Sequence, residues 1–204
     1  MNLQTIFSTL SVAIGIGSFV PYIRDIFRLK NTPHSYSWLV WTILQVTGAL
    51  AMLASGAGLA GASYLLIGAL LCVSVFLLSL RYGTKDITTF DTVCLIGALV
   101  ATSVWFFLHD ALLSIILVSL IDWIAFMPTF RKAYEEPLTE TLSMYALSGV
   151  AQLLSLASLA EYHFTTTLYL ITLASANAVF VVMVLIRRRR TRMEGGISGT
   201  SLRP

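Results

Sequence analysis

Residues 19–45, FVPYIRDIFRLKNTPHSYSWLVWTILQ, align without a gap with residues 126–152, FMPTFRKAYEEPLTETLSMYALSGVAQ, when the chain is shifted by 107 positions. Both copies leave an apolar run through a proline, cross a polar segment and enter a second apolar run. Identical residues occur at Phe19 and Phe126, Pro21 and Pro128, Arg24 and Arg131, Thr32 and Thr139, and Gln45 and Gln152. The alignment predicts an internal repeat.

The rest of the chain has the composition of a membrane protein. Hydrophobic residues make up 57% of the 204 residues and charged residues 11%, whereas soluble domains carry about 25% charged residues. About 20 apolar residues of helix cross a bilayer. Seven such stretches occur, at approximately 4–27, 36–57, 61–81, 89–108, 110–131, 139–160 and 164–187. We therefore predict an all-α membrane protein with seven transmembrane helices.

The same shift of 107 positions places helices 1, 2 and 3 on helices 5, 6 and 7 and leaves helix 4 without a counterpart. An offset of three helices plus one linker gives both copies the same orientation, related by a pseudo-two-fold axis along the bilayer normal. We predict a 3+1+3 arrangement of parallel triple-helix bundles. The bundles are residues 1–87 and 110–192, joined by a linker helix at 88–109, and residues 193–204 form a disordered cytoplasmic tail.

The basic residues define an orientation. With seven spans, all 13 Lys and Arg residues fall on one side of the membrane. The positive-inside rule makes that side cytoplasmic and places the N-terminus outside. The run RRRRTR at 187–192 fits a stop signal at an anionic leaflet, so the expected partner is the lipid bilayer and not nucleic acid. One chain contains both bundles, and an oligomer is not required for a pathway.

These features resemble the SWEET and PQ-loop (MtN3/saliva) transporters, which have seven helices as 3+1+3 and a proline before a polar loop after helices 1 and 5. Tyr22 and Thr129 stand where the family's Pro-Gln motif has glutamine, which implies a distant bacterial-type member in the inner (plasma) membrane. The resemblance implies alternating-access transport of a sugar or similar small polar solute. Nicotinamide riboside carriers share a similar fold, so the solute stays open.

The two repeated prolines are candidate hinges. A proline inside a helix frees a carbonyl and bends the axis. Pro21 and Pro128, with Tyr22 and Thr129 beside them, are therefore predicted to form the hinges and gate at the cytoplasmic side. A static kink is the alternative interpretation.

Helical spacing places Trp41 and Gln45 on one face of helix 2, and Ser148 and Gln152 on the matching face of helix 6. Lipid offers no hydrogen-bond partner to a glutamine amide. We therefore expect both glutamines to form hydrogen bonds with substrate, with each other or with water near the axis. The small residues could instead serve close helix packing. In SWEET transporters an asparagine of helix 7 contacts the substrate, and the resemblance assigns that role to Asn177; a bond between helices is the alternative.

Asp122 is the most unusual residue of the apolar segments. An ionised carboxylate at the bilayer centre costs about 3 kcal/mol on insertion scales, so Asp122 must face a cavity or the bundle interior. The repeat places Gly15 opposite it, which leaves room for a side chain or a solute. We predict that Asp122 couples transport to protons or binds a cationic or hydroxylated solute. The alternative is a protonated carboxyl that donates one hydrogen bond to Ser119 or to a backbone carbonyl.

Other classes of protein receive little support from the sequence. Cys72 and Cys94 are isolated thiols inside apolar segments, and the histidines lie in loops without the spacing of metal ligands. We expect no metal, no cofactor and no enzyme activity. The alternative to a transporter is a ligand-sensing or accessory seven-helix membrane protein that binds without turnover.

Overall fold

The computed structural model describes residues 2–83 and 88–198, without the side chains of Pro128 and residues 192–198. Seven α-helices account for the secondary structure of this part of the chain, which confirms the predicted helices. Their bounds are α1 Leu3–Phe27, α2 Ser35–Ala54, α3 Gly58–Tyr82, α4 Thr89–Leu108, α5 Ala111–Glu135, α6 Leu142–Ala157 and α7 Phe164–Ser198. Six of them are long and apolar enough to cross a membrane, which indicates an integral membrane protein.

The exception is α6, which is shorter than the predicted span 139–160. Its 16 residues rise about 24 Å, less than the roughly 30 Å of a hydrocarbon core. Polar contacts hold the preceding residues outside the helix: Thr141 donates to the Asp25 carboxylate at 2.9 Å, and Glu140 pairs with Lys132 at 2.8 Å. At the other end, the Ser158 hydroxyl donates to the Ser155 carbonyl at 2.7 Å, one turn back.

The last helix differs from its prediction in the opposite sense. α7 continues to Ser198, into the segment 193–204 that we predicted as a disordered tail. Residues 199–204 lie outside the described part of the chain, as do residues 84–87 between α3 and α4.

The helices pack in the same order in the two halves of the chain. α3 packs against both α1 and α2, and α7 packs against both α5 and α6. The halves meet where α1 packs on α6 and where α2 packs on α5, while α4 packs on α2 and α5. The two halves therefore face each other, with α1, α2 and α3 on one side and α5, α6 and α7 on the other.

Individual contacts give the directions of the helices. Gln4, at the start of α1, donates to the carbonyl of Leu159, just beyond α6, at 3.1 Å, so these helices are antiparallel. The pair of Thr47 with Thr102 at 2.8 Å and the pair of His34 with Asp91 at 3.5 Å make α2 and α4 parallel. Short connections reverse the chain between consecutive helices, so odd-numbered helices run one way and even-numbered helices the other.

The two ends of the bundle differ in charge. We call the end where α1 finishes and α2 begins the basic end, because the described Lys and Arg residues lie there. Arg188 of α7 joins this end by donating to the carbonyls of Pro137 and Glu140, both at 2.8 Å. The opposite end carries the acidic residues Asp110 and Glu161, whereas other carboxylates, such as Asp25 and Glu140, lie at the basic end. Among the described residues, lysine and arginine are thus confined to one end and acidic residues occur at both.

Gly48 permits a close contact between α2 and α7. A Cβ built there would lie 2.6 Å from two ring atoms of Tyr169, so we expect Gly48→Ala to destabilise the fold by about 1–3 kcal/mol through overpacking. Gly17→Ala is the matched control, since a Cβ there meets nothing within 4 Å and alanine favours helix by about 1 kcal/mol. Thermal unfolding in detergent measures both. Equal melting temperatures for the two variants would contradict this packing.

Candidate functional site

A small cavity lies at the centre of the bundle, between the two halves. About 60 Å³ of it is open to the centres of water molecules, where a single water needs about 10–15 Å³. Six residues that the sequence indicated line this one space: Trp41, Gln45, Asp122, Ser148, Gln152 and Asn177. The fold therefore brings together side chains from four helices that are up to 136 positions apart in the chain.

Gln152 is the centre of a hydrogen-bonded network on one side of the cavity. Its Nε2 donates to the Tyr64 hydroxyl at 3.3 Å, and its Oε1 accepts from Asn177 Nδ2 at 3.1 Å. The same Asn177 nitrogen donates to the carbonyl of Leu173 at 2.9 Å. The network joins α6 to α3 and α7, so Asn177 links helices while it lines the cavity.

Gln45 is held more weakly than Gln152. Its Nε2 contacts the Cys72 sulfur at 3.0 Å, and its Oε1 has no hydrogen-bond partner. The amide lies directly over Gly68, where a Cβ would clash with it. The two glutamines thus bond to different partners, and Gln45 leaves one acceptor open.

Asp122 is fully buried, with 0% of its surface exposed. Among the described residues, neither carboxyl oxygen has a hydrogen-bond partner, and the Ser119 hydroxyl is also unpartnered. The bond from Asp122 to Ser119 or to a backbone carbonyl, which was the alternative interpretation, is therefore absent from this part of the chain. The Tyr169 hydroxyl faces the carboxyl without reaching hydrogen-bond geometry. Arg131 is nine residues further along α5, about 13 Å away, too far for an ion pair.

The space that we expected opposite Asp122 is occupied by an aromatic ring. A Cβ at Gly15 would lie 3.0 Å from Cε2 of Tyr64, so this glycine makes room for Tyr64. The room at Gly15 is therefore taken by a side chain of the protein, one of the two occupants that the sequence left open. Because Gln152 holds the tyrosine hydroxyl, the ring is a fixed wall of the cavity.

An aromatic layer separates the cavity from the basic end. Trp38, Trp41 and Tyr145 line the cavity and also a second, wider space toward that end. The rings of Trp38 and Trp41 meet edge to face at 5.1 Å, and Trp41 contacts Phe126 at 5.1 Å. These rings form a partition about one side chain thick.

We call the wider space the vestibule; about 580 Å³ of it is open to water centres. Tyr22 and Thr129, two of the predicted gate residues, line it, and Tyr22 packs on Trp38 at 5.1 Å. Pro21 lies within α1, which continues through it. The Pro128 side chain lies outside the described residues, although the backbone of α5 is helical there.

The opposite end is closed by hydrogen bonds between small residues of the two halves. Ser11 donates to the carbonyl of Ala151 at 2.7 Å, and Ser155 donates to the carbonyl of Gly61 at 3.1 Å. Beyond α6, the Ala160 amide donates to the carbonyl of Ala57 at 3.2 Å. Small side chains let these backbones approach closely. The described conformation therefore has a vestibule at the basic end, separated from the cavity by the aromatic layer, and hydrogen-bonded contacts between the halves at the other end.

Sequence reasoning missed two residues of the site, Tyr64 and Tyr169. The shift of 107 positions places Ile171 opposite Tyr64 and Ala62 opposite Tyr169, so the repeat gave no indication of them. The usable signal was their chemistry, because a phenolic hydroxyl in the middle of an apolar helix needs a partner inside the protein.

The two glutamines provide a test of this site's structure. Gln152→Met leaves Tyr64 and Asn177 without a bonding partner on α6, so we expect a loss of about 1–3 kcal/mol in stability. Gln45→Met removes only one contact to sulfur and an unpartnered oxygen, and we expect a much smaller loss. The measurement is thermal unfolding of both variants in the same detergent. A larger loss for Gln45→Met would show that the network is assigned wrongly.

The site thus consists of a buried cavity with one unpaired carboxyl, a vestibule at the basic end and a closed opposite end. No family model, no curated protein and no solved structure matches this chain.

Proposed function

We propose that this protein is a membrane transporter that moves a small polar solute, such as a sugar, by alternating access along the axis between its two halves. The observation that carries the proposal is the position of the cavity. It lies between the halves, behind a vestibule at one end and closed by polar contacts at the other. This is the geometry expected of one state of a carrier whose binding site alternates between the two sides.

The packing order supports the 3+1+3 repeat. In each half the third helix lies against the first two, and the first helices of both halves run in the same direction. Exchanging the two halves turns α1 into α5 and α6 into α2. The contact of α1 with α6 then becomes that of α5 with α2, which is also present. Two parallel triple-helix bundles joined by α4 account for this pattern, and the pseudo-two-fold axis then passes through the cavity.

Alternation requires that the closed end can open. The polar contacts between the halves at that end include hydrogen bonds from serine hydroxyls to carbonyls, each with a net value of about 1 kcal/mol. The aromatic layer of Trp38, Trp41 and Tyr145 already lies between the cavity and the vestibule, and it would open to admit a solute from that side. Bending of α1 at Pro21, matched by α5 at Pro128, provides the hinges in this proposal.

The charge distribution supports an orientation with the basic end in the cytoplasm, since cytoplasmic loops are enriched in Lys and Arg. The N-terminus is then outside. The resemblance to bacterial-type PQ-loop proteins adds the inner membrane as the location.

Proton coupling through Asp122 is the second part of the proposal. The titratable groups that face its carboxyl are Tyr64 and Cys72 on α3 and Tyr169 on α7, while α2 presents the neutral Gln45 and Trp41. None of these groups is cationic. A proton taken from the vestibule would therefore neutralise Asp122, and its release would restore the charge.

The test of transport is uptake into liposomes that contain the purified protein. We expect saturable entry of a radiolabelled solute from a panel of sugars, amino acids, nucleosides and amines, and no entry into empty liposomes. Saturable binding without entry of any member would overturn the transporter and favour a ligand sensor or accessory protein.

Coupling is tested by Asp122→Asn, which keeps the shape of the side chain and removes its proton exchange. We expect the pH dependence of uptake to disappear while the protein still elutes and melts as the wild type does. Asp110→Asn is the matched control, because Asp110 caps α5 at the opposite end and asparagine caps equally well. Unaltered pH dependence in Asp122→Asn would remove the coupling.

A further inference from the structure

The unpartnered groups around the cavity show which ligand would complete it. Three of the buried atoms without a partner are pure acceptors: both Asp122 oxygens and Gln45 Oε1. Trp41 Nε1 is a pure donor, and the Tyr169 hydroxyl can donate or accept. Buried polar groups are normally hydrogen-bonded. A complementary ligand must therefore donate more hydrogen bonds than it accepts, or bring a positive charge to the acceptors.

The charge of the cavity is also uncompensated. Asp122 is the only acidic or basic side chain among the residues that line it, and no lysine, arginine or histidine is among them. A neutral solute could satisfy the acceptors but would leave an ionised Asp122 without a counter-charge. An anionic solute would face repulsion. A cation satisfies both the acceptors and the charge.

Aromatic rings line the cavity that contains the carboxyl. Phe19, Trp38, Trp41, Tyr64, Phe126 and Tyr145 line the same cavity. Their planes differ, at 88° between Trp38 and Trp41 and 48° between Trp41 and Phe126, so they form walls on more than one side. Ring faces attract ammonium groups most strongly where water is excluded.

The approach to the cavity has a matching charge. The vestibule is lined by the carboxylates of Asp91, Glu135, Glu136 and Glu140, and its Lys and Arg side chains are Arg131 and Lys132. Lys132 is already paired with Glu140 at 2.8 Å. An excess of carboxylates in a concave space raises the local concentration of cations.

We infer that the cavity binds a small organic cation of the ammonium type, with the charged head between Asp122 and the faces of Trp41 and Tyr64. The inference rests on the proposed function for the location of the site and specifies its substrate class. The cavity's volume of about 60 Å³ for water centres suits a small head group better than a large one. Gln45 Oε1 supplies a further acceptor for an N–H or O–H of the ligand.

The test uses the full-length protein in nanodiscs with methylammonium, tetramethylammonium and choline as probes. The neutral isostere of choline, 3,3-dimethylbutan-1-ol, is the matched control ligand. Trp38 and Trp41 line the cavity, so quenching of tryptophan fluorescence reports binding, and radiolabelled choline confirms it. We expect at least one cation to bind saturably. Choline should bind at least about 10-fold more tightly than the isostere, a difference that corresponds to about 1.4 kcal/mol of binding free energy.

Two variants separate charge from shape. Asp122→Asn should abolish the preference for choline over its isostere, and Asp122→Glu should retain part of it. Trp41→Leu should weaken choline about 5- to 30-fold, which corresponds to the loss of one desolvated ring face. Asp110→Asn, at the opposite end, should change neither the affinity for choline nor the preference for choline over its isostere. Gel filtration and melting temperature show that each variant is folded.

Each remaining outcome decides one of the two proposals. Equal affinity for choline and its isostere, no binding of any probe cation, or an unchanged preference in Asp122→Asn would overturn the cation site. Binding of a cation without entry into liposomes would support the cation site and overturn the proposal of a transporter. Saturable sugar uptake that none of the cations inhibits would support the transporter and overturn the cation site.

Discussion

Lipid offers no hydrogen-bond partner to a polar side chain, and this constraint governs where the polar residues of the helices lie. Many hydroxyl groups find a partner within their own helix, because they donate to a carbonyl one turn back. Thr42 donates in this way to Trp38 at 2.8 Å, and Thr172 donates to Leu168 at 2.8 Å. Side chains that cannot do so, such as Gln152 and Asn177, turn inward and bond to one another. The cavity is the place where these inward-facing groups meet, so the binding site follows from the same constraint as the fold.

Within that interior, Asp122 differs from the other polar residues because its oxygens find no partner. Glutamine and asparagine amides have both donors and acceptors and can satisfy each other, whereas an ionised carboxylate only accepts. The surrounding tyrosine hydroxyls do not reach it, because Gln152 holds Tyr64 and Tyr169 packs tightly over Gly48. Packing of large rings against glycines thus keeps the carboxyl available to a ligand or a proton.

The sequence predicts the helices because long apolar runs have one stable solution in a bilayer, and the repeat indicates which faces point inward. Trp41, Gln45, Ser148 and Gln152 were found in this way. The features that the sequence did not predict were missed for physical reasons as well. The early start of the sixth span was predicted wrongly because Glu140 and Thr141 are drawn out of the helix by partners on α5 and α1, Lys132 and Asp25. Tyr64 and Tyr169 have no counterparts in the repeat, and the unpartnered state of Asp122 depends on distances between helices that no pattern along the chain records.

The short α6 has a consequence for the surrounding bilayer. Its lipid-exposed residues, among them Leu147, Val150 and Leu153, cover a hydrophobic height of about 24 Å, several ångströms less than the neighbouring helices. A bilayer beside a helix of this length thins or draws polar head groups inward, at a cost of fractions of a kcal/mol per ångström of mismatch. Because α6 also forms a wall of the cavity, acyl-chain length would then act mechanically on that wall.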